Sequence, residues 1–427
     1  MDLTCHLYWC IIVSMDKRND KVKKAAFSFI LLMGIVSLFS DMTHEGAASI
    51  MGAYLSLAGA SAAAIGFVSG LGEFIGYSLR IITGKLTDRT KKYWPMTIIG
   101  YIIDCAAIPA LALVPKGGWV VACFLIVIQR FGKAVKKPAK DTILSFAATQ
   151  TGTGKSFAIQ EFLDQLGAFL GPVMLFLVVL LKNSADIFNV YKICFLLLGV
   201  PAAATIILLF VAKARYPEPD KFEKVEESSE PFHMNRRFII YVVGISFFGA
   251  GFVDFSLITM HTMKTGLIPT DTLSLLYAGA MAVDAVSALF FGWLYDKYGL
   301  RSLMVSTLCS APFAIFIFGM DSQWALFLGV ALWGIGMGAQ ESILKAVVTD
   351  IVPKQNRSSG FGVFQTSFGV CWFIGSWLMG VLYDISPAGL IGFSVVMQLA
   401  AIPFYYWTGM LGKNNKGDQD GITESNR

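Results

Sequence analysis

Apolar runs of about twenty residues follow one another along almost the whole sequence. The hydrocarbon core of a bilayer is about 30 Å thick, so a spanning helix needs about 20 largely apolar residues. The pattern predicts an all-α membrane protein with twelve transmembrane helices and leaves no room for a sizeable soluble domain. The predicted spans are 27–50, 61–84, 94–115, 119–138, 155–181, 189–212, 238–261, 271–293, 302–320, 324–349, 360–384 and 387–411.

Composition supports this fold class. The chain of 427 residues is 55% hydrophobic and only 15% charged, whereas soluble domains carry about 25% charged residues. The net charge of +5 does not indicate a nucleic-acid partner, because the positive residues follow the membrane topology. The seven cysteines show neither paired nor metal-like spacing, so we expect no disulfide, no metal site and no cofactor.

Lysine and arginine residues are concentrated in alternate loops. Membrane proteins retain such residues on the cytoplasmic side, which predicts a multi-pass protein of the cell (inner or plasma) membrane with both termini in the cytoplasm. The loops of the opposite face hold only Lys116, Lys182 and Lys264. The cytoplasmic set includes a basic group at the end of the fourth span, in the following loop and at the start of the fifth span, with Arg130, Lys133, Lys136, Lys137, Lys140 and Lys155.

A charged, proline-containing stretch divides the spans six and six. We interpret it as a mobile cytoplasmic linker. Residues 1–14 are too short to span and lack a basic n-region, so they are interpreted as a start-site artefact, a floppy tail or an anchor. The predicted units are a tail at 1–26, a six-helix bundle at 27–212, the linker at 213–237, a second six-helix bundle at 238–411 and a tail at 412–427.

Two motifs recur at corresponding points of the two halves. The pattern G-x-L-x-D-[RK] begins at Gly84 after the second span and again at Gly292 after the eighth. A second match, offset by 204 residues, pairs 156–172 with 360–376. Recurrence at a nearly fixed offset indicates an internal repeat. Two six-helix halves of equal topology are parallel repeats, an arrangement known from secondary transporters.

With these motifs the chain resembles the major facilitator superfamily over residues 27–411. The resemblance implies two pseudo-symmetric six-helix bundles that carry a small-molecule substrate, with protons, across a lipid bilayer by alternating access, as a monomer. It also implies a gate, in which Asp88 and Asp296 contact the helix N-termini near Ser358–Gly360 and Lys155–Ser156 when the cytoplasmic side is closed. The gate residues are Gly84, Asp88, Arg89, Gly292, Asp296, Lys297 and Arg301.

Two family motifs depart from the usual pattern. In the first gate copy Lys91 stands where the second glycine is usual, whereas the second copy keeps Gly299. In the fourth span Ile126 takes the place of the usual arginine, and Arg130 lies nearer the cytoplasmic end. The resemblance therefore does not imply a conventional arginine-based proton relay.

The fifth span resembles the antiporter motif of the same family. Gly167, Gly171 and Pro172 match its G-x-x-x-G-P core. Leu175 and Phe176 replace its final glycines. Only the matching G-x-x-x-G-P core therefore implies antiport.

Ionisable residues inside spans are the next signal. A charge at a helix centre costs on the order of 2.5–3.5 kcal/mol on insertion scales, so those retained usually face a cavity or a partner. In the first span Asp41, His44 and Glu45 are spaced i, i+3 and i+4 and therefore share one helix face. Alternatively, they cap the helix at the outer mouth. The predicted substrate or proton cavity comprises Asp41, His44, Glu45, Asp104, Glu161 and Asp164.

Three further groups leave their roles open. Glu73 and Arg80 lie two turns apart on the second span, where they form either a structural bridge or a relay. Glu341 and Lys345 are spaced i, i+4 and are predicted to pair structurally. Asp104 has no obvious local partner.

Secondary transport is the leading function class. No G-x-x-x-x-G-K-[ST] loop is present, which argues against ATP drive, and the four histidines are too scattered for a membrane enzyme. The alternatives are an uptake symporter and a transporter-like sensor or scaffold without flux. Acids outnumber bases in the predicted cavity, with Arg80 and Arg130 as the only basic candidates, which favours cationic or polar amphiphilic solutes and export by proton antiport.

Overall fold

The computed structural model describes residues 3–151, 153–182, 186–222, 234–352 and 357–425. Within these ranges the chain is helical and contains no β-strand. Twelve segments run through the body of the molecule, three of them interrupted. Their bounds are α1 (Leu3–Leu57), α2 (Ala62–Thr90), α3 (Tyr93–Ala110), α4 (Trp119–Thr151), α5 (Thr153–Lys182), α6 (Ile187–Arg215), α7 (Arg236–Gly251 and Phe255–Thr265), α8 (Leu273–Tyr298), α9 (Arg301–Ser310 and Phe313–Gly319), α10 (Gln323–Ala339 and Lys345–Ile351), α11 (Arg357–Ile385) and α12 (Pro387–Ser425).

Eleven of the described segments are long and apolar enough to cross a membrane. The exception is α4, which has the length but carries Arg130, Lys133 and Lys136 within its first eighteen residues. The predicted fourth span ended at residue 138, whereas the helix continues to Thr151. The prediction ended the helix too early, because its charges were counted with the cytoplasmic residues, although they lie on a helix face that lines a polar cavity.

Large apolar side chains cover the outside of the helices. Leu113, Leu181, Leu289 and Ile385 are each more than three quarters exposed. Exposure to water costs about 25 cal/mol per Å² of apolar surface, but lipid tails are as apolar as these side chains. The outer surface therefore fits a bilayer.

Two helix breaks lie beside the centre of the molecule. In α7 the helix stops at Gly251 and restarts at Phe255, where Asp254 accepts a hydrogen bond from the amide N–H of Ser256 at 2.9 Å. In α10 a π-helical turn spans Gln340–Leu344. Such turns are frequent at functional sites. Both breaks contribute side chains to the cavity described below.

Glycines let α2 and α11 pack backbone against backbone. A Cβ atom on Gly66 would lie 2.2 Å from the carbonyl oxygen of Ser376, and one on Gly380 would lie 2.4 Å from that of Ala62. At the same end Asp384 accepts hydrogen bonds from two amides at the start of α2, at 3.3 and 2.9 Å. This α2–α11 seam joins the first six helices to the last six. It is closest at the face opposite to the chain termini, and Gly362 also approaches Ile81 nearer the termini.

The first part of the predicted linker is docked against the first six helices. The indole N–H of Trp94 donates to the carbonyl of Tyr216 at 3.0 Å, and the side-chain amide of Gln150 donates to the carbonyl of Phe222 at 2.7 Å. The mobile linker predicted for 213–237 therefore does not apply to residues 216–222, because polar and aromatic contacts fix them.

The predicted tails are helical where the structure describes them. The first helix begins at Leu3, ahead of the predicted span, and the last continues to Ser425. Residues 1–2, 223–233 and 426–427 lie outside the described residues.

Candidate functional site

A polar cavity of about 380 Å³ lies between the first six helices and the last six. Small-molecule pockets hold about 300–1,000 Å³. Side chains of α1–α5, α7, α8, α10 and α11 line it. On α10 the lining runs from Trp333 to Leu344, and on α11 from Phe364 to Trp372, so it begins near the middle of each helix and continues toward the end nearer the chain termini. The cavity is thus closed by the α2–α11 seam and extends toward the opposite end.

A row of cationic side chains on α4 forms one wall. Its members are spaced by three or four residues, which places them on one helix face. The expectation that Arg80 and Arg130 are the only basic candidates is wrong, because the fourth helix continues through the predicted loop. The same spacing in the sequence could have revealed this face. The basic lining residues are Arg80, Arg130, Lys133, Lys136, Lys137 and Lys140.

Arg130 pairs with Glu73 on α2, with 2.7 Å between Nη1 and Oε1. The predicted Glu73–Arg80 pair does not form, because Arg80 instead packs over the ring of Tyr77, at 5.1 Å from its centroid. The Nε atoms of both arginines are buried without a hydrogen-bond partner in the described structure. Both guanidinium groups therefore retain unused donor capacity.

Asp104 is fully buried and does not line the cavity. The Nε2 atom of His44 and the Nζ atom of Lys136 both contact its carboxylate, and the side-chain amide of Gln129 donates to it at 2.9 Å. Lys136 also donates to the hydroxyl of Ser40 at 2.9 Å. The predicted cavity position was wrong for Asp104, which has no local partner but pairs with side chains of α1 and α4.

The acids of α1 and α5 line the cavity. Asp164 accepts a hydrogen bond from the side-chain amide of Gln160 at 2.8 Å, and Glu161 accepts one from that of Gln165 at 3.5 Å. Asp41, His44 and Glu45 lie within α1, which continues to Leu57, so they do not cap its outer end. His44 also borders the cavity.

Besides the bonds that Asp384 accepts at the α2–α11 seam, two side-chain hydrogen bonds among the described residues join the two halves at the cavity. The hydroxyl of Tyr277 on α8 donates to the carboxylate of Glu45. The side-chain amide of Gln165 donates to Glu341 on α10 at 3.4 Å. The predicted pairing of Glu341 with Lys345 stays a prediction, because the side chain of Lys345 is outside the described ones.

The wall contributed by the last six helices is acidic and aromatic. Among the described lining residues of α7 to α11 there is no lysine or arginine. The sequence analysis missed Tyr277 and the aromatic residues here, since aromatic side chains in apolar runs have no distinguishing pattern. The principal members of this wall are Asp254, Tyr277, Asp284, Gln340, Glu341, Phe364, Phe368 and Trp372.

The two copies of the gate motif have related backbones. Lys91 and Gly299 both end their helices with a positive φ, of 53° and 59°. Lys91 is in the left-handed helical region, with a ψ of 18°, whereas Gly299 has a ψ of −139°. Glycine adopts a positive φ without steric cost, which makes Lys91 the exception. Both gate turns therefore have a positive φ at this position, although one has lysine and the other glycine.

The predicted gate contacts stay a prediction. Asp296 is exposed, and the side chains of Asp88, Lys155 and Ser358 are outside the described ones. Gly84 and Gly292 lie in helical turns, and Lys297 packs against two aromatic rings of its own helix. Arg89 and Arg301 are exposed.

The motif on α5 forms a packing seam with α1. A Cβ atom on Gly167 would lie 2.3 Å from the carbonyl oxygen of Leu38, and one on Gly171 would lie 2.2 Å from that of Met42. Pro172 follows within the helix. Close backbone approach of this kind needs glycine on at least one side.

Comparison with known proteins identifies the relatives of this chain. A family model described as Major Facilitator Superfamily matches residues 25–267 and 239–423. An uncharacterised protein of Mycobacterium tuberculosis is 35% identical over 384 residues, which cover 88% of this chain and 92% of that protein. An uncharacterised MFS-type transporter of Methanocaldococcus jannaschii is 25% identical and covers 88% and 93%. The solved nucleoside transporter NupG shares the fold, with a TM-score of 0.70 at 14% identity, over 88% of this chain and 99% of that one.

Proposed function

Because the chain belongs to the major facilitator superfamily, we propose that it carries a small solute across the cell membrane by alternating access, coupled to protons. Membership rests on the family match along nearly the whole chain, and it confirms the resemblance found in the loop motifs. Members of this family are carriers and not enzymes. The cavity between the two halves is accordingly the proposed substrate path.

The closed α2–α11 seam supports alternating access. The cavity is shut at one face by contacts between the first six helices and the last six, and its lining extends toward the other face. We assign the open face to the cytoplasm because both predicted tails are rich in positive charge. Transport then requires the seam to part while the gate turns close.

The observation that carries proton coupling is the double contact of His44. Its Nδ1 atom lies 2.6 Å from the backbone carbonyl oxygen of Ser40, which can only accept, so Nδ1 carries hydrogen. Its Nε2 atom contacts the Asp104 carboxylate. A neutral imidazole has a single N–H, so the second contact needs one more proton, on His44 or on Asp104.

This proton lies where transport can use it. His44 borders the cavity, so the proton can exchange with water there. The charged groups around the pair are Lys136 and Lys133 on α4. Of the two His44 contacts, the one with Ser40 lies within α1 and the one with Asp104 joins α1 to α3. Loss of the proton through the Asp104 contact therefore ties protonation to helix position.

Export by proton antiport is the proposed direction. Its support is the Gly167–Gly171–Pro172 seam, which resembles the family's antiporter motif. The acids Asp41 and Asp164 are the second proposed proton site, because both line the cavity beside the α4 cations. A single polypeptide encloses the cavity, which supports a monomer as the working unit.

Proteoliposomes with an internal pH dye test the proposal. The solutes are those that stabilise the purified protein in a thermal-shift screen, each applied as a gradient. Wild type should move protons opposite to the solute, and His44→Gln should retain solute exchange without proton movement. Asp41→Asn and Asp164→Asn test the second site in the same assay.

Each outcome decides one part of the proposal. Proton movement in the same direction as the solute identifies an uptake symporter. Unchanged proton movement in all three variants removes the proposed proton sites. Stabilisation by solutes that never cross the membrane identifies a sensor or scaffold without flux.

A further inference from the structure

The cationic wall contains side chains that form no ion pair in the described structure. Lys136 contacts Asp104, Lys140 donates to the hydroxyl of Ser37, and Lys137 pairs with the neighbouring Asp141. Arg80 and Lys133 have no ion pair within the described part of the chain. These two side chains are therefore free to bind a ligand.

Arg130 adds to the same site. Glu73 engages one side of its guanidinium, and Nε is left buried without an acceptor. Arg130 and Lys133 lie one turn apart on α4, so their like charges repel. An anion between them would relieve this repulsion and supply the missing acceptor. A buried polar atom without a partner carries the uncompensated cost of its desolvation.

On α2, Gly72 makes room for the Arg130 side chain and Gly76 leaves open space in the cavity. A Cβ atom on Gly72 would lie 2.9 Å from Cγ of Arg130, and one on Gly76 would meet no atom within 4 Å. Gly76 lines the cavity. The α2 face opposite the cationic row is thus cut back to the backbone, so a ligand group can approach the guanidinium groups.

More of the acidic lining residues than of the cationic ones already have a partner within the protein. Glu45, Glu73, Glu161, Asp164, Asp254 and Glu341 each accept a hydrogen bond from the protein. Only Asp41 and Asp284 accept none in the described structure. The unused binding capacity is therefore largely that of donors on α2 and α4.

The opposite wall is aromatic and carries two more unused donors. Phe364, Phe368 and Trp372 follow one another along α11, with ring centroids 6.1 and 5.4 Å apart. The Nε1 atom of Trp372 and the Nε2 atom of Gln340 are buried without a partner. This aromatic wall suits the apolar or planar body of an organic solute.

We propose that the solute is an organic anion whose carboxylate or phosphate group binds Arg80, Arg130 and Lys133 while its body lies against the aromatic wall of α11. That this anion is a transported substrate rests on the proposed function, whereas its binding can be tested without transport. It replaces the cationic solutes that the sequence favoured. Arginine suits the site, because its planar group binds carboxylate and phosphate with two parallel hydrogen bonds.

Two matched sets of ligands test the charge preference. Indole-3-acetate, indole-3-acetamide and tryptamine share one body and differ in charge, as do glucose 6-phosphate, glucose and glucosamine. Binding to the full-length purified protein is measured by calorimetry and thermal shift at constant ionic strength. The anionic member of at least one set should bind at least about tenfold more tightly than its neutral and cationic partners.

Variants then locate the site. Arg80→Gln with Lys133→Gln should weaken binding of the anion about tenfold to a hundredfold and leave the neutral analogue unaffected. Arg80→Lys with Lys133→Arg keeps both charges and should retain most of the affinity, which controls for folding. Lys182→Gln removes an exposed charge at the far end of α5 and should change nothing.

The proposal is overturned if cationic or neutral members bind as well as the anions, if no member of either set binds, or if the double variant keeps full affinity. Binding without flux leaves the anion site intact and contradicts only the proposed function. Flux of a solute that the double variant binds equally well contradicts only the anion site.

Discussion

The two walls of the cavity come from repeats of the same topology but differ in chemistry. The first six helices contribute six cationic side chains and the buried Asp104 network, whereas the described lining of the last six has acids, amides and aromatic rings. With the offset of 204 residues between the repeats, Lys136 and Lys137 correspond to Gln340 and Glu341. A shared fold has thus allowed one half to specialise in charge and the other in shape.

Backbone regularity differs along with charge. On the first side α4 runs unbroken through its cationic row, whereas the corresponding α10 has a π-turn at Gln340–Leu344. Similarly, α1 is continuous and α7 breaks before Phe255. At the α7 break side chains bond the backbone, since the indole N–H of Trp333 donates to the carbonyl of Val253 at 2.8 Å and the amide of Ser256 donates to Asp254 at 2.9 Å.

The largest expected effect is on the free energy of unfolding, and it should distinguish the buried Asp104 of the first half from the buried Asp284 of the second. Asp104→Asn should lower the free energy of unfolding by about 3–5 kcal/mol, because it leaves Lys136 buried without its counter-ion. Asp284→Asn should change it by less than about 1 kcal/mol, since Asp284 Oδ1 has no partner to lose. Denaturation in detergent measures both, and equal losses would contradict the distinction.

The seam between the halves gives the next effect. Gly66→Val should reduce transport about 100-fold, because the added side chain opposes closure of the α2–α11 seam by about 3 kcal/mol. Gly409→Val, at a position with no atom within 4 Å of a Cβ, is the matched control. Full transport by Gly66→Val would show that this seam need not close.

A smaller effect tests the Arg130–Glu73 pair. Glu73→Gln should raise the affinity for indole-3-acetate or glucose 6-phosphate about threefold to tenfold, since it frees the guanidinium for the ligand. Arg130→Gln should lower it. The control is Asp141→Asn, which breaks the half-exposed pair with Lys137. Calorimetry decides, and a loss of affinity in Glu73→Gln would contradict the assignment.

The smallest effect concerns the hydrogen bond from Tyr277 to Glu45. Tyr277→Phe removes about 1 kcal/mol from the contact between halves, so the population with the α2–α11 seam open should rise about fivefold. Spin-label distances across that seam report the shift. Tyr298→Phe, an exposed tyrosine on the same helix, should leave the distances unchanged.

The sequence predicted those features that depend on local physics. The apolar spans and the repeated turns depend on residues close together in the chain, and the acids of α1 and α5 were located because charges in a span need water or a partner. The cationic face of α4 was missed, because positive residues near a span end were counted with the cytoplasmic residues. The i, i+3 and i+7 spacing of Arg130, Lys133 and Lys137 was the available signal.

The buried network could not be predicted in the same way. His44 and Lys136 lie 60 and 32 residues from Asp104 in the chain and on different helices. A single sequence contains no rule that pairs them, because the pairing depends on how three helices pack. The sequence shows only that each charge needs a partner.

Accessibility of the cavity from both faces of the membrane tests alternating access most directly. A single cysteine at Gln365, which lines the cavity on α11, is placed in a chain whose seven native cysteines are replaced by serine. A membrane-impermeant maleimide is applied to each face of oriented vesicles. The account predicts labelling from both faces, with Gly66→Val increasing the labelling from the face opposite to the termini. Alternating access would be contradicted if the single-cysteine protein, with and without Gly66→Val, were labelled from one face alone at every pH.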